Sequence, residues 1–582
     1  MKRLAIILLL LNLICCDGIG DTILRFQAAE YLTLNIPGHY SYSNKYITYI
    51  RHYTDSVYAN YPYWIRQARF NTLITESKHS VNKTYDAEQL SNDDILGYID
   101  HSIGLRSQYS WYNYYSFKDF CEYILPYMSF NEPITSHNSK DSLSRLLHEK
   151  LAEKLAPHSY YFSNDINDVA LTLEQTIYDL NIKSIADLLK DPTLKAHGFD
   201  CEEEAAAKCY LYNSLGIPLV YDFVPYWANK NGRHAWATSP YNLEKPLYNY
   251  AKIYRKTFSQ NASPETDRPY ETIPDLFIEP FLKDVTSLYG NTGYLSLTVS
   301  QRRRNFDNIY LHVFNGGEWR PVAWEKTSGK YIQFPHLGKG VVYLPGYCCD
   351  KGLIQEGFPI VLRHDSSCQE LIPDIENTQT LRLFRKYPMT HENMDRVDAL
   401  CGASILGYES NLHDIDTLAV IPPDYMIRDT IKLNCQKRYK YIKIVADRVM
   451  QIAEIKLFDK AMKPIYFAPL SNDCNERAVN DADNLTYSSI IPEITLTVDG
   501  GQFPLFLKIM PRNDDNWINV GEVYELLYFG PDGWISCGEK RAVANYVEYT
   551  DVPSGALYLL RNLSKGVEER PFTWQNRQMV FW

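Results

Sequence analysis

Residues 201–236 read CEEEAAAKCYLYNSLGIPLVYDFVPYWANKNGRHAW, and the fold of the middle of the chain turns on them. Cys201 opens the run GluGluGluAlaAlaAlaLys, strong helix formers with acidic residues in the first turn, where the positive end of a helix lies. Leu215-Gly216 closes that run, glycine being the natural C-terminal cap. Beyond Gly216 the pattern turns to β: IPLVYDFVPYW and GRHAWAT are strand-like and are separated by the turn-forming AsnLysAsnGly. The stretch predicts a helix that starts at Cys201, followed by two antiparallel strands. His234, 33 residues after Cys201, stands at the start of the second strand. Strand alternation puts His234 and Trp236 on one face.

A thiol at a helix start and an imidazole on a following strand are the two halves of a nucleophile system. The thiolate is the attacking species, and a helix N-terminus and a nearby imidazolium both favour it. Glu202 to Glu204 oppose it by like charge. The plain alternative is a small buried cysteine and a satisfied strand histidine, and chain order alone does not bring the two together. Cys209 is excluded as a disulfide partner of Cys201. On one helix the two lie about 12 Å apart along the axis, whereas a disulfide needs Cα atoms within roughly 7 Å.

Outward from this stretch, the N-terminus reads MKRLAIILLLLNLICC, two basic residues before a short apolar run, the pattern of a bacterial-type signal peptide over residues 1–20. Cys15 and Cys16 fall where a lipoprotein cysteine would sit, so tethering through Cys16 and plain cleavage near Gly18–Gly20 both stand. An extracytoplasmic location follows: periplasmic, outer-membrane lipoprotein or secreted. No later stretch approaches the roughly 20 apolar residues of a membrane helix. A net charge of −11 argues against nucleic acid or an anionic membrane as partner. The twelve cysteines show no CxxC pair for zinc and no disulfide-rich spacing, and HisGluAsn at 391–393 lacks the second histidine of a zincin motif. No metal and no cofactor are expected. Most of the 47 tyrosines suit half-buried strands.

At 582 residues the chain has room for three or four domains. Residues 21–140 mix short helical patterns with Tyr-rich loops, and the pattern of Ser116–Ile134 ends a helix at Pro126. LSRLLHEKLAEKLA, DVALTLEQTIYDL and SIADLLKDP read as helices, so residues 141–258 form an α+β core. From about 270 to 372 alternating segments (YLSLTVS, NIYLHVFN, YIQFPHLG, VVYLPGY) predict a β-sandwich. Residues 373–400 read as a polar connector around one strand-like piece, TLRLFRKY. Residues 401–582 read as a second sandwich, with GlyProAspGly at 530–533 as a hairpin signal. Within it Arg512, Asp514, Asp515 and Asn516 form a dense polar loop beside Trp517, and Trp534 adds another aromatic face. Such groups suit a pyranose ring, and equally a turn that closes a strand.

The segment GFDCEEEAAAKCYLYNSLGIPLVYDFVPYWANKNGRHAWAT resembles the transglutaminase-like superfamily of papain-fold cysteine enzymes. The resemblance extends to FCEYILPY with AsnGluPro (120–127, 131–133), to LysIleTyrArgLysThrPhe (252–258) and to LysAspValThr (283–286). At the C-terminus, ProArgAsnAspAspAsn (511–516), TyrGluLeu (524–526) and ArgAsnLeuSerLysGlyValGluGluArg (561–570) resemble a discoidin-type, galactose-binding-like module. The resemblance implies a multidomain protein: a papain-like transglutaminase core followed by two all-β sandwich domains. It implies Cys201 as nucleophile and His234 as general base and later acid. The substrate class it implies is a protein, peptide or peptidoglycan-type amide, with glycans at the C-terminal module. Two residues depart from the pattern. The family adds an Asp on the strand after the histidine, and none occurs between His234 and Asp267, which leaves Asn242, Glu244 and Asn249, with Glu244 able to do the same electrostatic work. Met128 stands where an arginine is expected. Either departure fits altered specificity or a fold kept for binding alone.

Overall fold

A computed structural model describes residues 19–42, 83–108, 115–128, 134, 143–149, 201–241, 243–246, 249–299, 305–409, 414–425, 430–470, 478–490, 492–498, 503–565 and 568–582. Residues 1–18 of the expected signal peptide, with Cys15 and Cys16, and residues 150–200, which hold most of the helices expected in the core, lie outside the described residues. The protein is multidomain and mostly β. It divides into two compact units, the second comprising Pro373–Tyr528 and Trp534–Phe581.

In the first unit, helices α1 (Ile19–Asn35) and α2 (Asn92–Gln108) pack on each other, and two short strands, β1 (Tyr40–Tyr42) and β2 (Lys83–Tyr85), pair antiparallel. The helix expected to end at Pro126 is a short one, Phe117–Asp119, capped by Ser116 and running into a π turn, Phe120–Ile124. Helix α3 spans Cys201–Ser214. Its polyalanine run and the Glu204–Lys208 pair (2.9 Å) favour the helix. Gly216, at φ 71°, ends it: the Gly216 amide donates to Asn213 and the Ile217 amide to Tyr212, the paired closure for which glycine is suited.

The strands that follow are β3 (Val220–Val224), β4 (His234–Thr238), β5 (Tyr254–Lys256) and β6 (Leu282–Asp284). They form one antiparallel sheet in the order β4-β3-β5-β6, with β4 at an edge. Helix α3 lies between two layers. Tyr210, Leu211 and Leu215 enter the core shared with α1 and α2. Ala205 and Cys209 pack on Tyr221 and Ala235 of the sheet, small side chains that let backbone approach backbone. The opposite face of the sheet carries Val224, Trp227, Trp236, Ile253, Val285 and Tyr289.

After this sheet the expected strands of 270–372 all form. Gly293–Thr298 pairs with Tyr331–Leu337, and Asn308–Asn315 lies between Glu318–Lys326 and Val341–Cys349. Leu295, Ile309, Leu311, Phe334 and Tyr343 fill the core between them.

The second unit departs from the sequence expectation in two ways. In residues 373–400 the expected strand-like piece begins inside a longer strand, Asp374–Leu383, which pairs with Val547–Ser554, and a helix not expected from the sequence follows at His391–Asp398. Residues 401–582 hold two cores, not one. Two five-stranded sheets enclose the first, around Ile405, Ile442, Ile455 and Leu496. A third five-stranded sheet carries the second, around Tyr524, Tyr549 and Tyr558. The GlyProAspGly signal does mark a turn, between strands Val523–Gly530 and Gly533–Arg541.

Candidate active site

The structure places Cys201 as the first residue of α3 and His234 as the first residue of β4. Both are half-buried. The ends of the two elements are tied together, since Arg233 Nε meets Glu202 Oε1 at 2.8 Å. One turn on, Ala205 packs with Ala235. Cys201, Ala205 and Cys209 are spaced four apart, so Cys201 continues the sheet-facing stripe of the helix. Cys201 and Cys209 are not joined in a disulfide.

The imidazole belongs to the other face. Ala235 and Ala237 point at α3, so His234 and Trp236 point away from it. The His234 ring lies near-parallel to Trp227 and to Trp236, its centroid 5.8 Å from each. Burial pushes the imidazole below its ordinary range, Lys230 adds to that, and Glu244 and Glu204 pull the other way. The free ring is therefore held in its neutral form at pH 7, the form a general base needs.

Glu244 is exposed, and its amide donates to Thr238 Oγ1 at 3.0 Å. It acts on His234 through space. The strand that follows His234 in sequence, β5, pairs with β3 on the side away from β4. No residue of that strand lies beside His234 in the sheet.

The carboxylate on this face comes instead from the preceding strand. Asp222 is directly opposite Trp236 in the register and fully buried. Arg255 grips it with Nε and Nη2, both at 2.8 Å. Tyr289 also donates to it, and the Trp236 indole donates to the Tyr289 hydroxyl at 3.3 Å. Sequence reasoning passed over these residues. The signal was present, because a carboxylate inside the apolar run LVYDFV needs a buried cation.

The hairpin loop before His234 is pinned from the neighbouring sandwich. Asn315 Nδ2 donates to the carbonyls of Trp227, Lys230 and Gly232, and its Oδ1 accepts from the Gly232 amide. Gly232 sits at φ 94°, a conformation open to glycine.

Met128 is buried and lines a cavity of about 50 Å³ with His39, Glu122, Cys209, Lys256 and Glu279, at the middle and far end of α3 from Cys201. Among the described residues no group of three or more His, Cys, Asp or Glu is placed to hold a metal ion.

In the second unit, the polar loop is engaged within the protein. Asp514 pairs with Arg385 at 2.7 Å. Asp515 takes bonds from Lys565, Asn484 and Asn519, and Asn516 is fully buried. Trp517 lies in the core with Arg385 over its ring at 4.5 Å, and Arg512 covers Tyr487 at 4.1 Å. Trp534 is half-buried on the separate strand Gly533–Arg541.

No family model, no curated protein and no solved structure matches the chain.

Proposed function

We propose that the chain is an extracytoplasmic cysteine enzyme of the transglutaminase-like, papain-fold type that acts on amide bonds, hydrolysis being its main reaction. The observation that carries this is the tie between the two functional ends: Cys201 opens a helix whose first turn is bound, through Glu202 and Arg233, to the residue preceding His234. In this reading His234 takes the proton of the Cys201 thiol, and the resulting thiolate attacks the carbonyl carbon of a protein, peptide or peptidoglycan-type amide. The C–N bond breaks as His234 gives a proton to the leaving amine, and a thioester remains on Cys201. Water, losing a proton to His234, then breaks the thioester to give the acid, and His234 returns that proton to the departing thiolate. The Cys201 amide, at a helix N-terminus, serves as one donor to the oxyanion. His234 must turn from its tryptophans towards the thiol during this cycle, and among the described residues no strand pairs with β4 on its other side. Glycan binding by the second unit, and a lipid anchor on Cys16, belong to the same reading.

Iodoacetamide labelling tests it. Cys201 is expected to alkylate faster than free cysteine at pH 7, and Cys201→Ala and His234→Ala to abolish amide hydrolysis. Model-thiol reactivity together with turnover unchanged in Cys201→Ala removes the enzyme reading.

A second reading has its own observation: the imidazole lies along Trp227 and Trp236, on the face of the sheet away from the helix. On that basis the fold is a catalytically inactive surface protein that binds glycan or protein.

A further inference from the structure

Four buried side chains on the far face of the sheet form one continuous chain of contacts that ends on the His234 ring. Arg255 is 3% exposed and Asp222 is 0% exposed. Their bidentate ion pair is expensive to bury, and replacing such a pair by apolar residues is often neutral or stabilising. Stability alone is therefore a poor reason for it. The Asp222 carboxylate accepts two N–H bonds from Arg255 and one O–H bond from Tyr289. It thus has donors on both oxygens and is directed at Tyr289, not at His234. The Tyr289 hydroxyl, its proton committed to Asp222, presents its lone pairs outward. Trp236 Nε1 donates to one of them at 3.3 Å, with the two rings edge to face at 5.6 Å and 89°. The indole held in this way lies along His234, 26° from parallel.

The register explains why the device works on this histidine. Asp222 pairs with Trp236 and Val224 with His234, so Asp222, Trp236 and His234 share a face, and Asp222 is one diagonal step from His234. The charged groups acting on the ring, Lys230, Glu244 and Glu204, come from the hairpin loop, the segment after β4 and helix α3, and none belongs to this chain of contacts.

We propose that the Arg255–Asp222–Tyr289–Trp236 chain is the positioning device for the His234 ring, filling from the preceding strand the role that a carboxylate on the following strand would have. This rests on the reading of Cys201 and His234 as a working pair. Asp222, Arg255, Tyr289 and Trp236 are positioning residues: they fix where the imidazole lies and how much water reaches it.

The experiment is a titration of the His234 ring by NMR in the full chain, its signal identified by loss in His234→Gln. Tyr289→Phe deletes one hydroxyl and leaves the Arg255–Asp222 pair intact. It frees the indole N–H, admits water to the imidazole and raises the midpoint of the His234 titration by about half a pH unit. Trp236→Phe, which keeps the Tyr289–Asp222 bond, gives a shift in the same direction. Tyr123→Phe removes a hydroxyl 3.5 Å from the other side of Arg255 and leaves the midpoint in place. An unshifted midpoint in folded Tyr289→Phe overturns the proposal. So does a shift in Tyr123→Phe as large as that in Tyr289→Phe, which would mark a general loosening. Should Tyr289→Phe not fold, Trp236→Phe decides alone. The titration needs no turnover, so it stands apart from the enzyme reading: loss of hydrolysis in Cys201→Ala with an unmoved His234 midpoint in Tyr289→Phe removes only this proposal.

Discussion

At the scale of single residues, the thiol of Cys201 stands in an acidic setting that one arginine relieves. Glu202 and Glu204 follow it directly, and like charge raises the cost of a thiolate. Arg233 pairs with Glu202, while Glu204 is paired to Lys208. Arg233 is 61% exposed, so its ion pair adds little to stability, about 0–1 kcal/mol. Its electrostatic effect on the nearby thiol is the larger consequence. Arg233→Gln is expected to leave the unfolding midpoint within about a degree or two, and to slow iodoacetamide labelling of Cys201 at pH 7 by about two- to five-fold, by leaving Glu202 uncompensated. Glu202→Gln should speed it. Equal labelling rates in the two variants would show that this pair does not act on the thiol.

At the scale of elements, the helix and hairpin were legible in the sequence because their signals are local. Glu202–Lys208 favours a helix, Gly216 ends it, and Asn229–Gly232 turns the chain between two apolar strands. What was not legible is which strand lies beside which. The reading that the residue behind His234 should come from the next strand assumed neighbours in sequence to be neighbours in the sheet, and β5 pairs with β3 instead. The same limit applies to Asp374–Leu383, whose partner Val547–Ser554 lies far along the chain. The polar loop Arg512–Asn516 suits a pyranose ring or a turn that closes a strand, and both readings stayed open because density of charge is visible in a sequence whereas remote partners such as Arg385 and Lys565 are not. The hairpin itself depends on such a remote partner. Asn315, 5% exposed, makes four bonds to the 227–232 loop. Asn315→Ala removes all four, at a cost of about 2–4 kcal/mol. The loop is expected to loosen, exposing Lys230 and Arg233 to trypsin. Cleavage after these residues at the wild-type rate would mean that the loop holds its shape without the clamp.

At the scale of the whole molecule, acid should act on the first unit through two buried histidines that the site does not use. His39 is stacked between Phe258 and Phe281, at 4.5 and 3.8 Å, with Nε2 bonded to the Phe258 carbonyl at 2.9 Å. Burial lowers it to about 4, Lys256 adding to the effect and the Phe258 carbonyl and Glu279 opposing it. His312 lies between the Leu344 carbonyl and the Cys348 thiol, at 3.1 and 3.6 Å, and burial lowers it too to about 4. Burial, with Cys349 and Glu271 adding to it, pushes the Cys348 thiol up to about 12, so that it stays protonated. Both imidazoles are neutral in the folded protein and free to take a proton near 6.5 once unfolded. Between pH 6.5 and 4 the unfolded chain therefore binds more protons, and stability falls as pH falls. At pH 5 the loss is on the order of 2 kcal/mol for each histidine. His39→Gln keeps a donor for the Phe258 carbonyl and has nothing to titrate. Its denaturant midpoint should fall between pH 7 and pH 5 by only about half as much as that of the wild type, with the difference gone above pH 7. A wild-type midpoint that is flat from pH 7 to 5 would mean that neither ring is held neutral by the fold.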